Sequence, residues 1–118
     1  MCGITGVTGS RVQDEARLKE SLRKLAHRGP DSFGQQRLES CGQSLWFGAT
    51  RLAILDLSPA GHQPMASRDG RWWVTFNGEI YNHLDLRRQL NLDWRGHSDT
   101  ETLVECIAAW GWRRRLRA

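Results

Sequence analysis

The sequence predicts an α+β fold whose strands pair antiparallel, and three observations carry that prediction. Apolar residues recur at helical spacing through Val12, Ala16, Leu18, Leu22, Leu25 and Ala26, so residues 13–26 read as an amphipathic helix. Segments 33–38 and 44–49 read as strands around Gly42, joined too tightly for a crossover helix, which favours a hairpin. Trp72-Trp73-Val74-Thr75-Phe76 is rich in aromatic and β-branched residues, the composition of a strand.

The other elements follow in chain order. Ile4 to Thr8 reads as a short strand flanked by Gly3, Gly6 and Gly9. Gly and Pro within His27-Arg28-Gly29-Pro30-Asp31 halt the first helix. Leu52-Ala53-Ile54-Leu55-Asp56-Leu57 is apolar on both faces, as a buried strand would be, and Ser58-Pro59-Ala60-Gly61 ends it. Asn77-Gly78 is a turn signal directly after the aromatic strand. A short helix covers about 83–90. A last helix starts at Ser98, where Ser98-Asp99-Thr100-Glu101 fits a capping box. There the Ser oxygen and the Glu carboxylate each satisfy an orphan amide. Leu103, Val104, Ile107 and Ala108 form its buried stripe.

At 118 residues the chain has room for one domain, and no repeat or linker divides it. No apolar run is long enough to span a bilayer, and no basic-then-apolar leader marks a secretory signal. Cys2, Cys41 and Cys106 are odd in number and widely spaced, so neither a zinc site nor a disulfide framework is suggested. The reading is a cytoplasmic protein with free thiols and no metal. The net charge of +4 resides in Arg113, Arg114, Arg115 and Arg117; without them the basic residues equal the 13 acidic ones. A terminal run of like charge is a solvated tail and not the basic face that binds nucleic acid.

Cys2 is the most informative position. Removal of Met1 leaves a thiol and a free α-amine on one residue. That amine, with an ordinary pKa of roughly 8, is partly neutral at physiological pH and can serve as the base for the thiol. Gly3 permits close backbone approach, and Gly6 and Gly9 give the following chain freedom to turn. Read alone, position 2 is equally a small residue at a start site.

Acyl transfer needs hydrogen-bond donors aimed where an oxyanion develops. The Asn77 side-chain amide and the Gly78 N–H can supply two, although Asn-Gly is also the commonest hairpin turn. Arg51 opens an otherwise apolar strand, where its guanidinium can grip a carboxylate through two parallel hydrogen bonds or snorkel from an edge. Asp99 sits in the first turn of a helix, where the dipole favours its charged form; it can receive an ammonium or be an ordinary N-terminal acid. His27 reads as part of a helix stop, and the tryptophans as core and pocket wall.

Together these segments resemble the class II glutamine amidotransferases, specifically the asparagine synthetase branch. The matching stretches are Met1-Cys2-Gly3-Ile4, His27 to Asp31, Arg51 to Asp56, Gly61-His62-Gln63-Pro64, Phe76 to His83 and Ser98-Asp99-Thr100-Glu101, in the family's order. The resemblance implies an N-terminal-nucleophile hydrolase fold, an αββα sandwich of two antiparallel sheets between helical layers. It implies that Cys2 attacks the side-chain amide of L-glutamine, releasing ammonia and leaving a thioester for water. Asn77 and Gly78 would form the oxyanion hole, and Arg51 would clamp the substrate α-carboxylate. Glu79 and Asp99 would hold its α-amine, and the backbone of Leu52, Ala53, Ile54 and Leu55 would line the pocket. Arg28 to Asp31 resembles the turn that frames the nucleophile.

The family continues into further strands and an ATP- and Mg-using synthetase domain, the implied partner and the destination of the ammonia. The resemblance covers residues 1–111 and stops at an arginine-rich tail, 112–118, which suggests a truncated or frameshifted gene and an incomplete sandwich. The expectation is a glutaminase portion with no cofactor of its own, bound to neither membrane nor nucleic acid, whose folding and activity suffer from truncation. The competing expectations are an inactive remnant and a small basic nucleic-acid-binding module. The acceptor, aspartate or another carboxylate, and the oligomeric state are not legible.

Overall fold

The structure, a computed structural model, describes residues 2–52 and 58–112. The expected strand at 52–57 therefore lies outside the described residues beyond Leu52, and so does the arginine run from Arg113. Backbone contacts divide the described chain into two compact units: residues 2–52, 62–64 and 75–77, and residues 58–61, 65–74 and 78–112. The elements are helices and antiparallel sheets, an α+β composition as the sequence predicts.

The first unit is built on a three-stranded antiparallel sheet. Strands β1 (Gly3–Thr8) and β2 (Ser32–Ser40) flank a central β3 (Gln43–Arg51), in the order β1-β3-β2. Gly3 and Phe33 both stand opposite Thr50, and Val7 and Arg37 opposite Trp46. β2 and β3 form the expected hairpin, each longer than predicted. Their two-residue turn, Cys41-Gly42, has φ of 52° and 75°, the double left-handed geometry of a type I′ turn. Cys41 thus occupies a position where Asn is usual. Gly9, at φ 89°, turns the chain after β1, whereas Gly6 is an ordinary strand residue opposite Phe47.

Helix α1 (Glu15–Lys24) packs on one face of this sheet. Asp14 caps it, accepting the Arg17 N–H at 3.2 Å, and a 3-10 turn at Ser10–Gln13 takes the start of the predicted 13–26 helix. Val12, Leu18, Leu22 and Trp46 form the core, with Val7 against them. Each buried Val or Leu contributes about 1.5–3 kcal/mol. Ala16 is exposed and does not join the stripe, because two residues before Leu18 it lies on the opposite face of the helix.

The second unit holds a two-stranded ladder, β4 (Met65–Ala66) with β5 (Trp73–Val74), and helices α2 (His83–Leu90) and α3 (Asp99–Trp110). The strand expected over 72–76 shrinks to Trp73 and Val74 because only Met65 and Ala66 face it as partners. The Ser67–Trp72 connection is closed by Ser67 and Asp69. Ser67 Oγ donates to Asp69 Oδ1 at 2.6 Å and accepts the Trp72 N–H at 3.1 Å. The Ser67 hydroxyl, followed by the backbone N–H and side chain of Arg71, lowers the pKa of the Asp69 carboxyl to about 2. The tryptophans are not uniformly core: Trp46 is buried, Trp72 and Trp112 are exposed.

α3 has the predicted start but a more polar buried face. Val104 and Ile107 of the expected stripe are buried, yet so are Cys106, Thr100, Glu101, Thr102 and Glu105, while Leu103 and Ala108 are only half-buried. The reason is a cation network. Glu101, 0% exposed, meets Arg95 Nε at 3.1 Å and Arg87 at 3.5 Å. Arg87 also reaches Thr102 Oγ1, Gly96 O and Ser98 O at 2.7–2.8 Å and stacks over Trp94 at 4.3 Å.

Candidate active site

Cys2 stands one residue before β1, half-buried. Its Sγ faces the Leu52 carbonyl oxygen at 4.0 Å. Its own carbonyl accepts Arg28 Nε at 3.4 Å, and the next N–H, of Gly3, donates to Thr50 Oγ1 at 3.1 Å. Thr50, fully buried, donates a hydrogen bond from its hydroxyl to the Leu25 carbonyl at 3.0 Å. The backbone around the thiol is therefore held from both sides by a β3 side chain and by the turn after α1.

That turn is fixed as well. Asp31 N–H donates to Arg51 O at 3.0 Å, and Pro30 bridges Arg51. Gly29 is buried against the same strand, where a Cβ would lie 2.5 Å from Arg51 N and 2.7 Å from Thr50 C. No side chain fits there, which is why the sequence needs Gly at this point of His27-Arg28-Gly29-Pro30-Asp31.

Arg51 is 8% exposed. It is the last residue of β3, which runs further than its predicted 44–49 core; the strand it was expected to open lies, beyond Leu52, outside the described residues. Leu52 follows and is exposed; Ala53, Ile54 and Leu55 lie outside the described residues. Asn77 is exposed and belongs to the same unit as Cys2, Arg51 and Leu52.

Gly78, Glu79 and Asp99 belong to the second unit. Gly78 is a bend and not the centre of a hairpin turn, since among the described residues no strand follows it. Glu79 is exposed, and the N–H of its neighbour Ile80 donates to Asp99 Oδ2 at 2.9 Å. Asp99 is buried at the start of α3, so its carboxylate sits where the helix dipole favours charge. Ser98 caps the helix by accepting Glu101 N–H at 3.2 Å. The other half of the predicted capping box takes a different form: Glu101 accepts the Gly96 and Arg95 amides at 3.0 and 2.8 Å, further upstream than a box reaches.

Thr50 and Gln63 escaped the reading of the sequence. Thr50 is buried within β3, and nothing in its local pattern separates it from an ordinary strand threonine. Gln63 lay in a segment matched to a family without a role. Among the described residues no group of three or more His, Cys, Asp or Glu could hold a metal ion, and no helix is long and apolar enough to cross a membrane.

The pattern of the family described as Glutamine amidotransferase domain matches residues 1–117. Over 112 residues the chain is 38% identical to asparagine synthetase (glutamine-hydrolyzing) 1 of Bacillus subtilis, covering 88% of this chain and 17% of that protein. It is 37% identical to a putative asparagine synthetase (glutamine-hydrolyzing) 2 of Methanocaldococcus jannaschii, covering 89% and 23%. It is 41% identical to asparagine synthetase (glutamine-hydrolyzing) 1 of Lotus japonicus, covering 94% and 19%. The chain thus spans about a fifth of the length of these curated relatives. With a cysteine held at the head of an antiparallel sheet and a family match over nearly all its residues, the chain belongs to the glutamine amidotransferase domain family.

Proposed function

We propose that this chain hydrolyses L-glutamine to glutamate and ammonia through a thioester on Cys2, and that the ammonia serves an asparagine synthetase-like amidation. The observation that carries the reading is the fixed, half-buried Cys2, in one compact unit with Arg51 and Asn77. With Met1 removed, the α-amine of Cys2 takes the thiol proton. Sγ then forms a bond to the glutamine carboxamide carbon, and the oxygen carries the negative charge. Asn77 Nδ2 and the Gly78 N–H donate to that oxygen. The C–N bond breaks, the nitrogen takes the proton held by the amine, and ammonia leaves. Water then attacks the thioester, restoring the thiol and releasing glutamate.

In this reading Arg51 binds the substrate α-carboxylate, Glu79 and Asp99 its ammonium, and the backbone of Leu52 to Leu55 the body of the substrate. Glutamine hydrolysis at a thiol calls for no cofactor; ATP and Mg serve the synthetase domain that activates the acceptor carboxylate. The asparagine synthetase relatives favour aspartate as that acceptor. The test is glutamine turnover in Cys2→Ala and Cys41→Ala chains. Loss in the first and retention in the second is expected; turnover by Cys2→Ala would refute the assignment.

A further inference from the structure

An oxyanion donor works only if its position is set before the charge appears. A side-chain amide is no better fixed than its backbone, and Asn77 is exposed, three residues beyond the end of the β4–β5 ladder. The backbone there is held by another group. Gln63, 6% exposed, accepts the Phe76 N–H on its Oε1 at 2.8 Å, one residue before Asn77. Gln63 is itself seated on the sheet at Gly34, in β2 opposite Ala49. A Cβ on Gly34 would lie 1.7 Å from Gln63 O and 2.7 Å from His62 Nε2, so only glycine lets the 62–64 segment lie this close.

We propose that Gln63 is a positioning residue for glutamine hydrolysis: seated on Gly34, it holds Phe76 and thereby fixes the Asn77 amide for the oxyanion. The inference rests on the oxyanion role given to Asn77 above. It assigns a role to the Gly61-His62-Gln63-Pro64 segment, which the Cys2 chemistry leaves unused. Gly34, Gln63, Phe76 and Asn77 all belong to the unit that carries Cys2.

The experiment compares Gln63→Leu, Gln63→Glu, Asn77→Ala and the Gln63→Leu/Asn77→Ala double variant in the whole chain. It reads kcat and KM for glutamine, and the rate of Cys2 alkylation by iodoacetamide, a displacement at a saturated carbon that forms no oxyanion. Gln63→Leu is expected to lower kcat by at least about tenfold, part of the ~100–1000-fold that one oxyanion donor carries, with KM and alkylation nearly unchanged. Gln63→Glu keeps an acceptor oxygen for Phe76 and should restore most of kcat. The double variant should be little slower than Asn77→Ala, because both act through one donor.

Normal kcat in Gln63→Leu beside a damaged Asn77→Ala would overturn the inference alone. Normal kcat in Asn77→Ala would sink the oxyanion reading and the inference with it. Additive losses in the double variant, or Gln63→Glu as slow as Gln63→Leu, would also overturn the positioning role. If Gln63→Leu unfolds, seen as equal alkylation of all three cysteines, Gln63→Glu decides: near-normal kcat supports the role and a loss matching Asn77→Ala refutes it.

Discussion

The Asp99 carboxylate accepts the Ile80 N–H at 2.9 Å, so the start of α3 and the residue after Glu79 are joined by one hydrogen bond. One oxygen of Asp99 is thus engaged with the backbone, and under the proposed function the carboxylate charge also receives the substrate ammonium. Asp99→Asn keeps an oxygen for Ile80 and loses the charge. It should raise KM for glutamine by roughly tenfold or more with little change in kcat, whereas Asp99→Ala should lower kcat as well, since Ile80 is released. Equal effects of the two variants on both constants would show that the bond to Ile80 contributes nothing.

Arg51 is buried at the end of β3 and is assigned to the substrate carboxylate. Arg51→Ala should weaken glutamine binding by about 2–5 kcal/mol, the cost of truncating one partner of a buried charge pair, and act mainly through KM. Steady-state kinetics checks this; a fall in kcat at constant KM would contradict the assignment.

Glu101 is fully buried and receives Arg95, Arg87 and two backbone amides. Glu101→Ala removes the carboxylate shared by Arg87, Arg95 and two backbone amides, leaving the largely buried Arg87 with neutral acceptors, so it should destabilise the fold by about 3–5 kcal/mol. A melt monitored by circular dichroism should fall by roughly 10 °C or more. A shift of only a degree or two would mean that water replaces the carboxylate without cost.

Asp69 gives the pH prediction. Its carboxyl is lowered to about 2, chiefly by the Ser67 hydroxyl and then by the Arg71 backbone and side chain. A lowered carboxyl stabilises the folded turn above its ordinary value of 3.8, and that contribution is lost as pH falls through about 2. The group is exposed, so the effect is local. Side-chain NMR should place the Asp69 midpoint near 2, and Ser67→Ala should move it upward. A midpoint at 3.8 in the unaltered chain would contradict the hydrogen bonds described.

What the sequence revealed was local. The period of Leu18 and Leu22, the hairpin around Gly42 and the Ser98 cap depend on neighbours a few positions away, and each is present. The length of β5 depends on how many residues Met65 and Ala66 can pair, which no reading of Trp72 to Phe76 contains. The burial of Glu101 depends on Arg87 and Arg95, so the helix face that looked apolar by periodicity is half ionic. Within the candidate site, Cys2, Arg51 and Asn77 were legible as residue types in a family order. The groups that hold them, Thr50 beneath Gly3 and Gln63 behind Phe76, were not, because each acts through a contact distant in sequence.

The central claim is that Cys2 is a specially activated nucleophile, and one measurement tests it most directly. Native chain is treated with a glutamine analogue bearing an electrophilic side chain and examined by mass spectrometry. Cys41 is exposed and Cys106 buried, so the chain carries its own controls for accessibility. The expected result is a mass lacking Met1 and a single adduct on Cys2, formed faster than any on exposed Cys41. Retention of Met1, or labelling of Cys41 at a rate equal to that of Cys2, would contradict the account.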